Sequence, residues 1–521
     1  MEMVVTAIAG DLVNRFISFL IKKHESHANL EKKVERLQQL LLRIHMVVEE
    51  AEGRYITNSR MLLELKRLSE AMYQGYHVLD TIKYKALCST RDEKKVSSSS
   101  NALSLTNSIK CFHTNSTNCF HTTRSTTTIF HDLDSVLENL ETMVSNMTEF
   151  VVLVGGCERM PRSPYDTYLY IDNFMFGRQV EKQQIMNVLL QENIPPFAPT
   201  VLPIISTNRV GKKTLVAHVC NNDRVRSHFS LILRLKGESI HKTEHGAFVP
   251  TGRTLVVLEF TSDIDDVRES IHKTEHGAFV PTGRTLVVLE FTSDIDDVSW
   301  QKFYSTTRRM GKGSKIIIIS RIESVSRLGT IRPMHLNSLS LEEYSYLFKV
   351  LAFGSTNPDD HPRLSLVASE LAVLMGGSLV VANVCADIFR KNQNLQFWQH
   401  ILNKYRNFLA NNFSVFCEHP KLLIERDRPV DISKLVSSTS APLRLMPPHC
   451  EDDDSTRDLP KVRYGDLIAG SVVPPREKFE LVGWESRIPP YKKYVNVAMF
   501  SGEVNVSEHV VSPCKKRIRF S

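Results

Sequence analysis

Between Thr200 and Ala217 the chain reads TVLPIISTNRVGKKTLVA. An apolar run, Val201 to Ile205, enters a polar loop that leaves through Gly211-Lys212 into a helical pattern opening Thr214-Leu215-Val216. Strand, loop, Gly-Lys and helix in this order build a phosphate-binding loop. Its backbone N–H groups and helix N-terminus attract anionic oxygens, and the lysine meets β/γ-phosphate charge. The pattern G-x-x-x-x-G-K-[ST] is met only in part, because Ser206 stands at the first glycine and Lys213 at the Ser/Thr position. Ser206 fits there only with negative φ; where glycine had used positive φ, the change costs about 1–2 kcal/mol. Lys213 removes the hydroxyl that would ligate Mg²⁺. Thr214 cannot simply replace it, since one residue along a helix is a rotation of about 100°. Lys212 and Lys213 can equally be read as solvated charges at a helix start.

The loop needs a sheet and helices to hold it, and the chain is long enough to supply them. Its 521 residues allow two to four domains, and 42% hydrophobic with 24% charged residues suit ordinary buried cores. The net charge of +7 is mild and spread along the chain, so no specific nucleic-acid partner is expected. Nine cysteines without a C-x-x-C pair read as reduced thiols of an intracellular protein. Cys111-Phe-His113 and Cys119-Phe-His121 match no zinc spacing, and no metal site is expected. No apolar run of about eighteen residues exists, so no transmembrane segment is expected. The N-terminus lacks a basic n-region and carries Glu2 and Asp11, which argues against a signal peptide. The expected location is the cytoplasm. The basic tail Lys515 to Arg519 leaves the nucleus open, against the reading of a solvated chain end.

Periodicity then divides the chain. Residues 1–88 read as three helices, near Val4–Lys23, Leu30–Gly53 and Ser59–Leu87, each with apolar residues at spacings of three and four. Ser89 to Thr128 is rich in Ser, Thr and Asn and reads as a linker or long loop. A fourth helix, His131 to Val152, is expected to pack back on the first three, and prolines at 161 and 164 mark a boundary. After the loop come the strand Leu231–Leu235 and a tandem repeat: Glu238–Val267 recurs without change as Glu269–Val298, at a period of 31 residues. Each copy carries one apolar strand followed by an acid (Glu259, Glu290). One copy is expected in the parallel sheet, the second being favoured, and the other as an edge strand or looped-out insertion. The buried run Ile316–Ile319 and helices near 341–353, 364–374 and 379–394 follow. The expected fold class is multidomain α and α/β. It comprises an N-terminal four-helix bundle (1–152), a doubly wound parallel-sheet P-loop NTPase-like domain (170–330), a helical subdomain (331–410) and an irregular C-terminal tail (411–521). Within that tail, short strands are possible at Phe479–Val482 and Tyr494–Met499.

The order of these pieces over about residues 1–410 resembles the plant intracellular immune receptors of the coiled-coil, NB-ARC class. Tyr76-His-Val-Leu-Asp80 sits where that family carries its acidic EDVID motif, and Phe176-Gly177-Arg178 matches the opening motif whose arginine lies near the nucleotide. Val210 to Leu215 is an altered P-loop, and Glu290 stands where an Asp-Asp pair would finish the Walker B strand. Gly313 to Ile318 with Arg321 matches the next strand and its sensor arginine. Asn337 to Glu343 matches a helical-subdomain motif, and Gly376-Gly-Ser-Leu379 a GLPL motif without its proline. No Met-His-Asp motif, winged helix or leucine-rich periodicity follows residue 410, so the chain is expected to be an atypical member lacking leucine-rich repeats.

The resemblance implies a nucleotide site at Phe176, Gly177, Arg178, Gly211, Lys212, Thr214, Glu290 and Arg321, with ADP favoured over ATP. Mg²⁺ is doubtful. Glu290 is one carboxylate where two are customary, and no second acid positions an attacking water, so no catalytic residues and no ATP hydrolysis are expected. For Arg178 and Arg321 a surface salt bridge is the competing reading. Three functions stay open: a defence scaffold, a working ADP/ATP switch, and a non-functional product of the duplication. The scaffold's partners would be other immune receptors or signalling proteins, reached through the N-terminal bundle, with self-association also possible.

Overall fold

The computed structural model describes residues 29–95, 126–160, 175–192, 198–207, 209–236, 257–260, 271–273, 279–281, 283–308, 310–436, 442–446, 459–487 and 493–500. The chain divides into two units, Met1–Pro161 and Arg162–Ser521.

In the first unit, α1 (29–52) buries Leu37, Leu40, Leu41, Ile44, Val48 and Ala51, a stripe at helical spacing. It faces α2 (Ser59–Lys95), which buries Leu62, Leu65, Leu68 and Met72. Gly75 sits inside α2 where a Cβ would come within 2.6 Å of Leu41 and 3.3 Å of Leu140. The glycine costs helix propensity, but it lets three helices approach closely. Next to it, Tyr76 of the acidic-motif position meets His45 Nδ1 of α1 at 2.8 Å. Helix α3 (Thr126–Asn146) is tied to α1 by Lys33–Asp134 at 2.6 Å and Arg36–Glu141 at 2.9 Å. The fourth helix is not continuous as expected: it breaks at Met147, and α4 (Thr148–Gly155) starts afresh. Arg54 donates to the Gly155 and Cys157 carbonyls at 2.9 and 2.7 Å, satisfying acceptors that a helix end leaves open. The expected helix 4–23 and most of the 89–128 linker lie outside the described residues. The described ends of that linker are helical, since α2 runs to Lys95 and α3 begins at Thr126.

The second unit opens with α5 (Gln179–Leu190), β1 (Thr200–Ile205), α6 (Lys212–Cys220), α7 (Asp223–His228) and β2 (Leu231–Lys236). Then follow β3 (Val257–Phe260), β4 (Ile271–Lys273), β5 (Phe279–Pro281), β6 (Thr285–Phe291), α8 (Asp297–Thr307), β7 (Lys315–Ser320) and β8 (Met334–His335). The main sheet has the order β3-β2-β6-β7-β1-β8. Five strands, from β2 through β8, run parallel, and β3 is antiparallel at the edge. Both alternating sets of strand residues are buried (Val287, Leu289, Ile316 and Ile318 in one; Leu286, Val288, Ile317 and Ile319 in the other), so both faces are covered. The second repeat copy supplies β6, between β2 and β7, while the first supplies the edge strand β3. Part of the second copy also forms the β4–β5 pair.

The chain continues with α9 (Leu341–Phe353), α10 (Pro362–Met375), α11 (Leu379–Lys391), α12 (Leu395–Phe416) and α13 (Pro420–Glu425). The region expected to be an irregular tail is ordered instead into β9 (Val430–Asp431), β10 (Leu443–Met446), β11 (Lys461–Arg463), α14 (Tyr464–Ala469), β12 (Phe479–Glu485) and β13 (Lys493–Phe500). These strands make one sheet of order β11-β12-β13-β10-β9. Its apolar side, with Leu443, Leu445, Phe479 and Leu481, shares a single core with Phe348, Phe389 and Trp398 of the helices, so residue 410 marks no break. Trp398 stacks on Phe389 at 4.1 Å and meets Phe353 edge-on at 5.2 Å. Asn412 is fully buried and joins α12 to β9. Its amide donates to the Asp431 carbonyl at 2.7 Å, and its Oδ1 accepts from Asp431 N–H at 3.0 Å.

Candidate functional site

The C-terminal end of β1 delivers the polar loop against β7, where Ser206 N–H donates to the Ser320 carbonyl at 3.2 Å. Ser206 is not among the described residues with positive φ, so it carries no strain at the first loop position. Arg209 takes the left-handed turn instead, at φ 64°, followed by Gly211 at φ 91°. Gly211 is the N-cap of α6. A side chain at that φ would be strained, and Gly211 brings the first turn of the helix round to face the loop.

Lys212 is buried, at 8% exposed, which rules out a solvated charge at a helix start. Its Nζ donates back to the Ser206 and Thr207 carbonyls, at 3.2 and 3.1 Å. Burial, then the neighbouring Lys213, push its pKa down to about 8; Glu290 pulls the other way, and Arg321 adds to the depression. Lys213, on the exposed side of α6, forms an ion pair with Glu290 at the end of β6. Thr214 is partly buried one residue further on. Arg321, after β7, pairs with Asp427 at 3.0 Å in an exposed salt bridge.

Arg178 is buried too, at the N-cap of α5, and is not a surface salt bridge. Its Nη2 donates to the Asn337 carbonyl at 2.7 Å, with Glu181 at 3.9 Å from Nη1. Burial pushes its pKa down against the pull of Glu181 and Glu343. Phe176 and Gly177 position Arg178: Phe176 stacks on Tyr346 at 5.9 Å, and Gly177, at φ 64°, packs against Leu339. The stretch Asn337–Glu343 has two structural tasks. Its first carbonyl holds Arg178, and its last residues form a capping box, Ser340 with Glu343, that starts α9.

Loop and helices meet at a cleft of about 1040 Å³, counting the space that opens to solvent. Arg178, Arg209, Val210, Leu379, Tyr405 and Tyr494 are among its lining residues. The structure thus gathers Gly211, Lys212, Glu290 and Arg321 at the loop, with Arg178 on the cleft wall. Arg209 and Tyr494 were not legible as site residues. Their pairing, with the guanidinium 5.3 Å from the ring centre, depends on β13, in a region whose sequence shows no strong periodicity.

Residues 8–113 match the Rx N-terminal domain family. The chain is 22% identical to the disease resistance protein RGA2 of Solanum bulbocastanum over 395 residues, covering 75% of this chain and 38% of that one. It is 28% identical over 234 residues to an RPP13-like disease resistance protein of Arabidopsis thaliana, covering 43% of this chain and 20% of that protein. The chain is thus similar, over up to three quarters of its length, to plant disease-resistance proteins, and its N-terminal part to the Rx N-terminal domain. It spans little more than a third of its Solanum relatives' length. Among solved structures, a Drosophila ORC bound to DNA overlaps 45% of this chain and 63% of that one, at 13% identity and a TM-score of 0.27, too low to carry weight.

A phosphate-binding loop of this pattern implies Mg²⁺ beside the phosphates, and the donor set does not fit it. The position after Gly-Lys holds an ammonium in place of a hydroxyl, and that ammonium is paired with Glu290, the carboxylate at the end of β6. Phe291 follows it and adds no second acid. No group of three or more His, Cys, Asp or Glu side chains among the described residues is arranged to hold a metal. Likewise, no helix among the described residues is long and apolar enough to cross a membrane.

Proposed function

We propose that this chain acts in plant defence as an NB-ARC scaffold or regulator. Its N-terminal helices contact other immune receptors, signalling proteins or a second copy. The nucleotide site holds ADP as a structural ligand and does not hydrolyse ATP, and the protein works in the cytoplasm. The observation that carries this reading is the Lys213–Glu290 ion pair. It leaves phosphate-binding N–H groups and Lys212 in place, yet ties up the one carboxylate from which hydrolytic chemistry would be built.

A second reading, an ADP/ATP switch, is favoured by the Arg178 bond to Asn337, which links the start of the nucleotide-binding layer to the helices beyond β8. The test is the nucleotide released on denaturing purified protein, measured beside Lys212→Ala. Stoichiometric ADP that disappears in the variant supports a retained ligand. Folded wild-type protein without nucleotide leaves the scaffold alone. ATP turnover abolished by Lys212→Ala refutes the non-hydrolytic reading and favours the switch.

A further inference from the structure

We propose that Lys213 supplies the positive charge that a divalent cation would supply in an ordinary phosphate-binding loop, so that this site takes a nucleoside diphosphate without metal. The proposal rests on the ADP reading above and concerns how the phosphates are neutralised. Four cationic groups border the loop: Arg209 within it, Lys212 and Lys213 on α6, and Arg321 after β7. Two carboxylates answer them, Glu290 on Lys213 and Asp427 on Arg321, so the site keeps a net positive charge. A diphosphate is the kind of ligand that completes such a balance.

The helix decides which cation does this. Lys213 lies one residue beyond the buried Lys212, on the open side of α6, and remains 63% exposed while paired. Its ammonium has three donors, so it can take up a phosphate entering over Gly211 while keeping Glu290, without unpacking anything. A divalent cation at the same place would have to displace the ammonium from Glu290 and then sit beside it. Like-charge repulsion and the missing hydroxyl both oppose that. A tethered ammonium also has no binding equilibrium of its own, so chelators do not remove it.

The test is isothermal titration of ADP into the full chain, as wild type, Lys213→Thr and Lys213→Arg, in EDTA and again in excess Mg²⁺. Far-UV circular dichroism accompanies each protein; the exposed position of Lys213 makes both substitutions compatible with folding. The wild type is expected to bind ADP no more tightly in Mg²⁺ than in EDTA, and more weakly to the extent that Mg²⁺ sequesters ADP in solution. Lys213→Arg keeps that behaviour. Lys213→Thr loses about tenfold in EDTA, the worth of one charged hydrogen bond, and recovers in Mg²⁺. Wild-type affinity that rises tenfold or more with Mg²⁺ overturns the proposal and leaves the ADP reading standing. A Lys213→Thr variant that binds like wild type in EDTA overturns it as well. Absence of ADP binding under every condition overturns the ADP reading and this one with it.

Discussion

Lys212 is a buried ammonium whose pKa has fallen from 10.5 to about 8, and this makes the stability of its unit depend on pH in a defined window. Above 10.5 the lysine is neutral in both states, and below about 8 it is charged in both. Between those values the unfolded chain binds more protons, so stability rises with pH. The fall of about 2.5 pKa units, at about 1.4 kcal/mol each, is a cost of about 3 kcal/mol to the native state at neutral pH. Lys212→Met removes the titrating group. The variant loses the two hydrogen bonds to Ser206 and Thr207, a term that does not vary with pH. For the 360 residues of Arg162–Ser521, at about 2.1 cal/mol/K of unfolding entropy per residue, about 3 kcal/mol corresponds to roughly 4 °C. The expected result is that Tm of the variant minus Tm of the wild type falls by roughly 4 °C from pH 7.5 to 10.5. Lys315, also depressed to about 8, titrates in both proteins and cancels in the difference. Scanning calorimetry at one scan rate, in buffers of matched ionic strength, reads this directly. A difference that stays constant within 1 °C over that range refutes the claim that Lys212 is held charged in a desolvated loop.

On the acid side, burial with Lys182 nearby lowers the pKa of His218 on α6 from 6.5 to about 4. The unfolded state therefore binds the extra proton between those values, so stability is lost as the pH falls from 6.5 to about 4. His218→Gln should flatten the Tm profile between pH 6.5 and 4 relative to wild type, and parallel profiles would count against it. Deleting residues 238–268 removes one repeat copy and the edge strand β3 but keeps the five parallel strands. The shortened chain is expected to be folded, with helix content unchanged by circular dichroism. Insoluble or unfolded protein would mean that β3 is needed to cover the edge of β2.

The parts of the fold that could be read from sequence were those whose pattern is local. The β1–loop–α6 segment, the buried run in β7 and the stripes of α1 and α9 each announce their own environment within a dozen residues. The C-terminal sheet did not, because its short strands share one core with helices tens of residues away. Phe479 and Leu481 look like core residues only once Trp398 and Phe389 are placed beside them. The same applies to the site. Gly211 and Lys212 stood out by spacing, and Lys213 by the hydroxyl it replaces. What Lys213 does depended on Glu290, which lies across a sheet crossover. Arg178 could be matched to a motif, but its burial and its bond to Asn337 are tertiary facts. The polar link between α2 and α3 was overdrawn at both ends, since Ser- and Thr-rich sequence lowers helix propensity without forbidding a helix that packs on its neighbours.

The repeat shows how far context overrides local sequence. Val-Leu-Glu-Phe occurs identically in both copies, antiparallel on β2 in the first and parallel between β2 and β7 in the second. Intrinsic strand preference cannot distinguish them. What differs is the chain that follows each copy. After Val267 the sequence runs Arg268-Glu-Ser-Ile-His-Lys273; after Val298 it runs Ser299-Trp-Gln-Lys-Phe-Tyr304. Only the second continuation has the aromatic face that builds α8. Trp300 and Phe303 are buried with Ile316 and Ile318, Trp300 lies 6.5 Å from Phe291 at the end of β6, and Tyr304 donates to the Pro199 carbonyl at 3.0 Å. A parallel strand needs such a crossover to lead into its neighbour, and among the described residues only the second copy has one, leading to β7. The choice reaches the site, because the acid brought opposite Lys213 is the one whose strand carries that crossover. Glu290 is placed there by the aromatic residues behind it, while the identical Glu259 lies on the edge strand.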